Sequence, residues 1–190
     1  MLRMSLAGIA LALAFAAVGS TASLAQSHQP YAGLQARTIK ALSDRQMADL
    51  RAGRGMEMAL AAELNGYPGP AHVIELAPQL NLTPAQLDRV KRLQDEMKAG
   101  AVELGERLIA QEAALDRLFA ERSITQARLL AATGEIARTL GQLRAAHLQY
   151  HLTTIDVLSP DQARRYSELR GYSNASEKPS PSHNQHHNAN

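Results

Sequence analysis

A five-residue phrase occurs twice in this chain and marks where helices must begin. It reads Leu82, Thr83, Pro84, Ala85, Gln86, and then Leu158, Ser159, Pro160, Asp161, Gln162. The hydroxyl of Thr83 or Ser159 accepts from the free N–H groups of a first helical turn. Pro84 and Pro160 take the first helical position, where no hydrogen bond is lost. Gln86 and Gln162 reach back to the cap's own N–H and close a capping box. Leu82 and Leu158 stand where a hydrophobic staple sits. A looser copy, Leu42, Ser43, Asp44, Arg45, Gln46, lies upstream.

Between the two strong copies the apolar residues recur at steps of three and four, which is helical spacing. Over 84–121 they are Leu87, Val90, Leu93, Met97, Ala101, Leu104, Leu108, Leu115 and Leu118. Over 125–157 the stripe is Leu129, Thr133, Ile136, Leu140, Leu143, His147, Tyr150 and Thr154. Ser123, Ile124, Thr125 and Gln126 read as a further capping box, so the chain turns there. Each stripe needs a partner, and a short connection makes antiparallel pairing the simplest solution. The predicted fold is therefore all-α, a long antiparallel helical hairpin with short flanking helices. Pairing about residue 123 places Gly105 opposite Gly141, His147 near Ala99, and His151 near Asp95 and Glu96.

Shorter helices are expected over 31–52 and 55–64, the latter from Met56, Leu60 and Leu64 on one face. Asn65 and Gly66 stop it, and Tyr67, Pro68, Gly69 and Pro70 form a turn. A short helix over 71–76 follows, and a last one over 160–170 ends at Gly171.

The ends read differently. Residues 1–25 have the pattern of a secretory signal: Arg3, an Ala- and Leu-rich run, then Ser23, Leu24 and Ala25 as a cleavage site. The expected mature chain starts at Gln26, is exported to the periplasm, and carries its helical domain over 26–172. Residues 173–190 hold almost nothing to bury and read as a disordered tail containing His183, His186 and His187. Such a tail is a weak scavenger of zinc, copper or nickel, or simply a solvated polar end.

Composition removes several function classes. There is no cysteine, which excludes disulfides, thiol catalysis and thiolate metal sites. With 20 basic and 18 acidic side chains the chain is nearly neutral, and nucleic-acid binding is not suggested. There is no Trp and there are only 2 Phe, which argues against an aromatic-walled pocket. No nucleophilic triad, His-Glu-x-x-His or phosphate loop is present, so the reading is non-enzymatic. Glu63, Glu75, Glu96 and Glu103 read as surface charges.

His147 and His151 stand four apart, which puts two imidazoles on one helical face. With the expected register Glu96 and Met97 lie close by, and His72 with Glu75 can fold over the same end. Carboxylate and imidazole ligands suit zinc, nickel or cobalt; adding the thioether favours copper. The alternative is a hydrogen-bonded His147 inside a packed seam beside a solvated His151.

The export signal, the hairpin and the two phrases at helix starts together resemble the Spy/CpxP family of periplasmic proteins with the LTxxQ motif. They also resemble its heavy-metal-resistance branch, which includes ZraP and CnrX-like sensors. The resemblance covers about residues 40–172, with Ser159 replacing Thr in the second phrase. It implies a curved helical cradle, commonly a homodimer, that holds unfolded periplasmic proteins or represses an envelope sensor kinase. The metal branch binds and senses or buffers metal ions. CnrX-like sensors carry His-x-x-x-His near their N-terminus, whereas His147 and His151 lie late in this hairpin, so no ligand transfers by position.

Overall fold

Proline at N1 and a closed capping box start each of the two motif helices where the sequence places them. The computed structural model describes residues 31–172; the expected export signal with its cleavage at Ala25, and the tail, lie outside the described residues. The described residues from Gly33 onward form one unit. A 3-10 turn (Leu34–Ala36) is followed by α1 (Asp44–Arg51), α2 (Leu60–Glu63) and α3 (Pro70–Glu75). Then come α4 (Pro84–Ala120), α5 (Gln126–Ile155) and α6 (Pro160–Leu169). Apart from one isolated bridge between Ile39 and Leu42, the described residues contain no strand. Among them, no helix is long and apolar enough to cross a membrane.

The long helices α4 and α5 pack on each other as an antiparallel hairpin. Burial on α4 falls on Val90, Leu93, Met97, Ala101, Gly105, Leu108 and Ile109. On α5 it falls on Ile136, Thr139, Leu143, His147, His151 and Thr154. That row departs from the expected stripe. Thr139 takes the place of Leu140, which is 42% exposed, and His151 takes the place of Tyr150. Chain order cannot separate neighbouring helical rows when both contain apolar residues. The turn between the helices also differs from expectation. Thr125 alone caps α5, accepting from Arg128 N at 3.3 Å, while Ser123 Oγ turns back to the Leu118 carbonyl.

Two apolar clusters hold the hairpin. The larger joins Ile39, Leu42, Met47 and Leu50 to Ala101, Leu108, Ile136 and Leu143. The smaller joins Val73 and Leu80 to Val90, Leu158 and Tyr166 at the other end of the long helices. Met97, His147 and His151 fall between the two clusters along the chain of each helix.

Gly105 does not serve a glycine contact across the hairpin. A Cβ there would stand 2.6 Å from the Leu50 carbonyl oxygen, so its missing side chain admits α1, whereas Gly141 has nothing within 4 Å. The expected helix over 55–64 is also shorter. Met56 and Glu57 adopt left-handed φ of 42° and 64°, and only Leu60–Glu63 is helical. Such backbone costs of order 1 kcal/mol or more per residue and persists where packing dictates it. Here Met56 packs against the larger cluster.

The two glycines therefore respond oppositely to alanine. Gly105→Ala forces α1 off α4 and lowers stability by about 1–3 kcal/mol. Gly141→Ala fills open space in a helix and raises stability by up to about 1 kcal/mol. Urea unfolding of both variants checks the pair.

Candidate functional site

The two sequence phrases meet in space. Thr83 and Ser159 each accept from the N–H of their glutamine at 3.2 Å. Gln86 Oε1 and Gln162 Oε1 accept from the cap N–H groups at 3.0 and 2.9 Å, completing both boxes. The amide nitrogens of the same glutamines then cross between the helix starts. Gln86 Nε2 donates to Gln162 Oε1 at 2.8 Å and to the Val157 carbonyl at 2.9 Å. Gln162 Nε2 donates to Gln86 Oε1 at 3.1 Å and to the Leu80 carbonyl at 3.3 Å. Leu158 is buried in the smaller cluster and Leu82 packs against it. The third copy closes its own box through Ser43 and Gln46.

A polar cluster lies beneath the α2–α3 segment. Its centre is Glu63, 5% exposed at the end of α2, and not the surface charge expected from sequence. Tyr166 donates its hydroxyl to Glu63 Oε1. Tyr172 donates to the same oxygen at 3.2 Å, and Gly69 N–H donates to Oε2 at 3.2 Å. His72 Nδ1 lies 3.3 Å and Arg170 Nε 3.6 Å from Oε1. Burial opposes ionisation of Glu63, but the His72 and Tyr166 hydrogen bonds, the His72 charge and the Gly69 N–H outweigh it. The carboxyl is held down at about 2. Tyr166 is pushed up by its own burial and by its bond to the carboxylate.

His151 Nδ1 lies 2.6 Å from the Tyr67 carbonyl oxygen and 3.7 Å from Glu63 Oε2. A carbonyl only accepts, so Nδ1 carries the proton and Nε2 is bare in the neutral ring. The ring lies against Gly69, where a Cβ would come within 2.8 Å of its Cε1. His147 is 2% exposed, and its Nε2 has no hydrogen-bond partner. Burial, and then the neighbouring charge of His151, lower its pKa.

These groups border a cavity of about 340 Å³ whose walls include Met56, Glu63, His72, Met97, His147 and His151. The structure thus brings together four of the residues singled out as metal candidates: His72, Met97, His147 and His151. Glu96 is exposed on α4 and Asp95 beside it is exposed too, and neither lines the cavity. The carboxylate at this place is Glu63, from a segment that no hairpin register could align. Its sequence signal was slight: a glutamate just before the Asn65–Gly66 stop and the compact turn at Pro68–Pro70. Among the described residues, no three His, Asp or Glu side chains are grouped so as to hold a metal ion.

A second, shallow depression of about 290 Å³ is lined by Ala61, Ala62, Tyr67, Leu148 and Leu152. Leu64 and Leu152 are more than half exposed, and Leu60 and Tyr67 are exposed beside them in the chain. No family model, curated protein or solved structure matches this chain.

Two outcomes are expected. Gln86→Ala and Gln162→Ala each cost about 1–2 kcal/mol, and the double variant costs less than their sum by about 1 kcal/mol, because the first loss already orphans the second amide. A double-mutant cycle in urea reads this. The second concerns pH. Glu63 is depressed in the folded state, so its stabilisation is present above the ordinary carboxylate value and lost as pH falls through about 2. At about 1.4 kcal/mol per pKa unit, this is roughly 3 kcal/mol at neutral pH. Glu63→Gln removes that acid sensitivity between about pH 4.5 and 2, read by unfolding across a pH series.

Proposed function

We propose that this protein is an exported, non-enzymatic helical hairpin of the Spy/CpxP type. It acts in the periplasm by binding apolar segments of unfolded envelope proteins. The observation that carries the reading is the shallow depression between α2 and α5, lined only by Ala61, Ala62, Tyr67, Leu148 and Leu152, of which Tyr67 and Leu152 are exposed. An exposed apolar depression of this kind marks an interaction surface. The paired glutamines lend support, since they give the two LTxxQ-like phrases a joint role at the base of the hairpin. The sensor domain of an envelope kinase is a second partner suited to the same patch, and self-pairing into a homodimer is a third.

Magnitudes favour loose, reversible capture. Covering about 100 Å² of apolar surface at about 25 cal/mol per Å² gains roughly 2.5 kcal/mol. Association itself costs about 4–15 kcal/mol. A single patch of this size therefore holds a client weakly and exchanges it quickly.

Suppression of light scattering by a reduced or denatured client at near-equimolar protein is the expected result. Tyr67→Glu with Leu152→Glu retains helical circular dichroism and loses most of that suppression. No suppression by the wild type at large excess, or undiminished suppression by the variant, overturns the reading. Sedimentation in the same buffer separates client capture from self-pairing.

A further inference from the structure

We propose that the cavity beneath the α2–α3 segment is a copper(I) site, with His147, His151 and Met97 as ligands and Met56 as a further thioether at its wall. This goes beyond client binding and does not depend on it.

The donor set carries the assignment. His147 and His151 project four residues apart from one face of α5, and both are buried at the same cavity. His151 donates Nδ1–H to the Tyr67 carbonyl at 2.6 Å. That bond fixes the tautomer and leaves Nε2 bare, as the outer partner of a metal-bound imidazole does. His147 is 2% exposed and has a ring nitrogen with no hydrogen-bond partner. The edge of the ring formed by Nδ1 and Cε1 faces Gly55, on the cavity wall, at 3.7 Å from a Cβ position. Met97 and Met56 line the same cavity.

The sulfur donors decide between metals. Glu63 has its oxygens engaged by Tyr166, Tyr172 and Gly69 N–H. Among the described residues no three His, Asp or Glu side chains form a metal-holding group. Glu57 also lines the cavity but is exposed to solvent, so the buried donors are imidazole and thioether. Copper(I) carries one charge and takes thioether with imidazole readily. The thioether beside two imidazoles thus favours it over the divalent ions.

The test is anaerobic copper(I) titration of the full chain in competition with a chromogenic copper(I) chelator, with X-ray absorption on the loaded protein. A full-length variant with His183, His186 and His187 changed to alanine removes the tail as a source of binding. The expected result is one copper(I) retained by that variant, with a sulfur scatterer beside nitrogen. Met97→Leu conserves volume, and it lowers copper(I) affinity about tenfold and reduces the sulfur contribution to the absorption spectrum. His147→Ala lowers affinity by at least as much. Binding that disappears with the tail histidines, a sulfur-free spectrum, or an unchanged affinity in Met97→Leu overturns the proposal. So does tighter binding of zinc(II) than of copper(I) in the tail variant.

Discussion

The apolar seam between α4 and α5 is the contact on which the rest depends. A helix as long as α4, 37 residues, gains most of its stability from packing an amphipathic face and little from propensity. Its buried row meets the row on α5; α1 then attaches toward one end, and α3 and α6 toward the other. The larger cluster recruits Leu50 of α1, and the smaller recruits Val73 of α3 and Tyr166 of α6. Between them the seam passes through Met97, His147 and His151, where apolar packing gives way to imidazole and thioether.

That polar layer imposes a demand that the hairpin cannot meet by itself. Glu63 and the Tyr67 carbonyl come from the α2–α3 segment, and Tyr166 comes from α6. One carboxylate accepts from α6, from the loop before α3 and from the chain after α6. Breaking such a buried group by removing one partner leaves the others uncompensated. The same saturation has a chemical consequence: a carboxylate held ionised by several donors is a poor acid, a poor base and a poor free ligand. The cavity beside it keeps His72, His147, His151, Met56 and Met97 in its lining, with Glu57 exposed to solvent.

The paired glutamines make a related point about the repeated phrase. A capping box at a helix start accepts Glu or Gln at the third helical position. The crossing contacts do not. Gln86 and Gln162 each use the amide oxygen for their own box and the amide nitrogen for the other helix start. Two glutamates there would face each other as like charges with no donor between them. The identity of the residue is set by the encounter of two helices, although the letter itself is written locally.

Sequence alone determined the all-helical class, the long hairpin, the helix starts at Thr83 and Ser159, and the stop at Gly171, whose φ of 75° is left-handed. These depend on contacts within a few residues or on the helical period, and both are legible along the chain. The i, i+4 spacing of His147 and His151 was legible for the same reason. Tertiary structure decided which helical row of α5 turns inward, that Gly105 admits Leu50 and leaves Gly141 free, and that Glu63 is buried while Glu96 is exposed. Those outcomes rest on how the segment from α1 to α3 folds back on the hairpin. They are set by packing between residues far apart in the chain, where neither local propensity nor periodicity carries information.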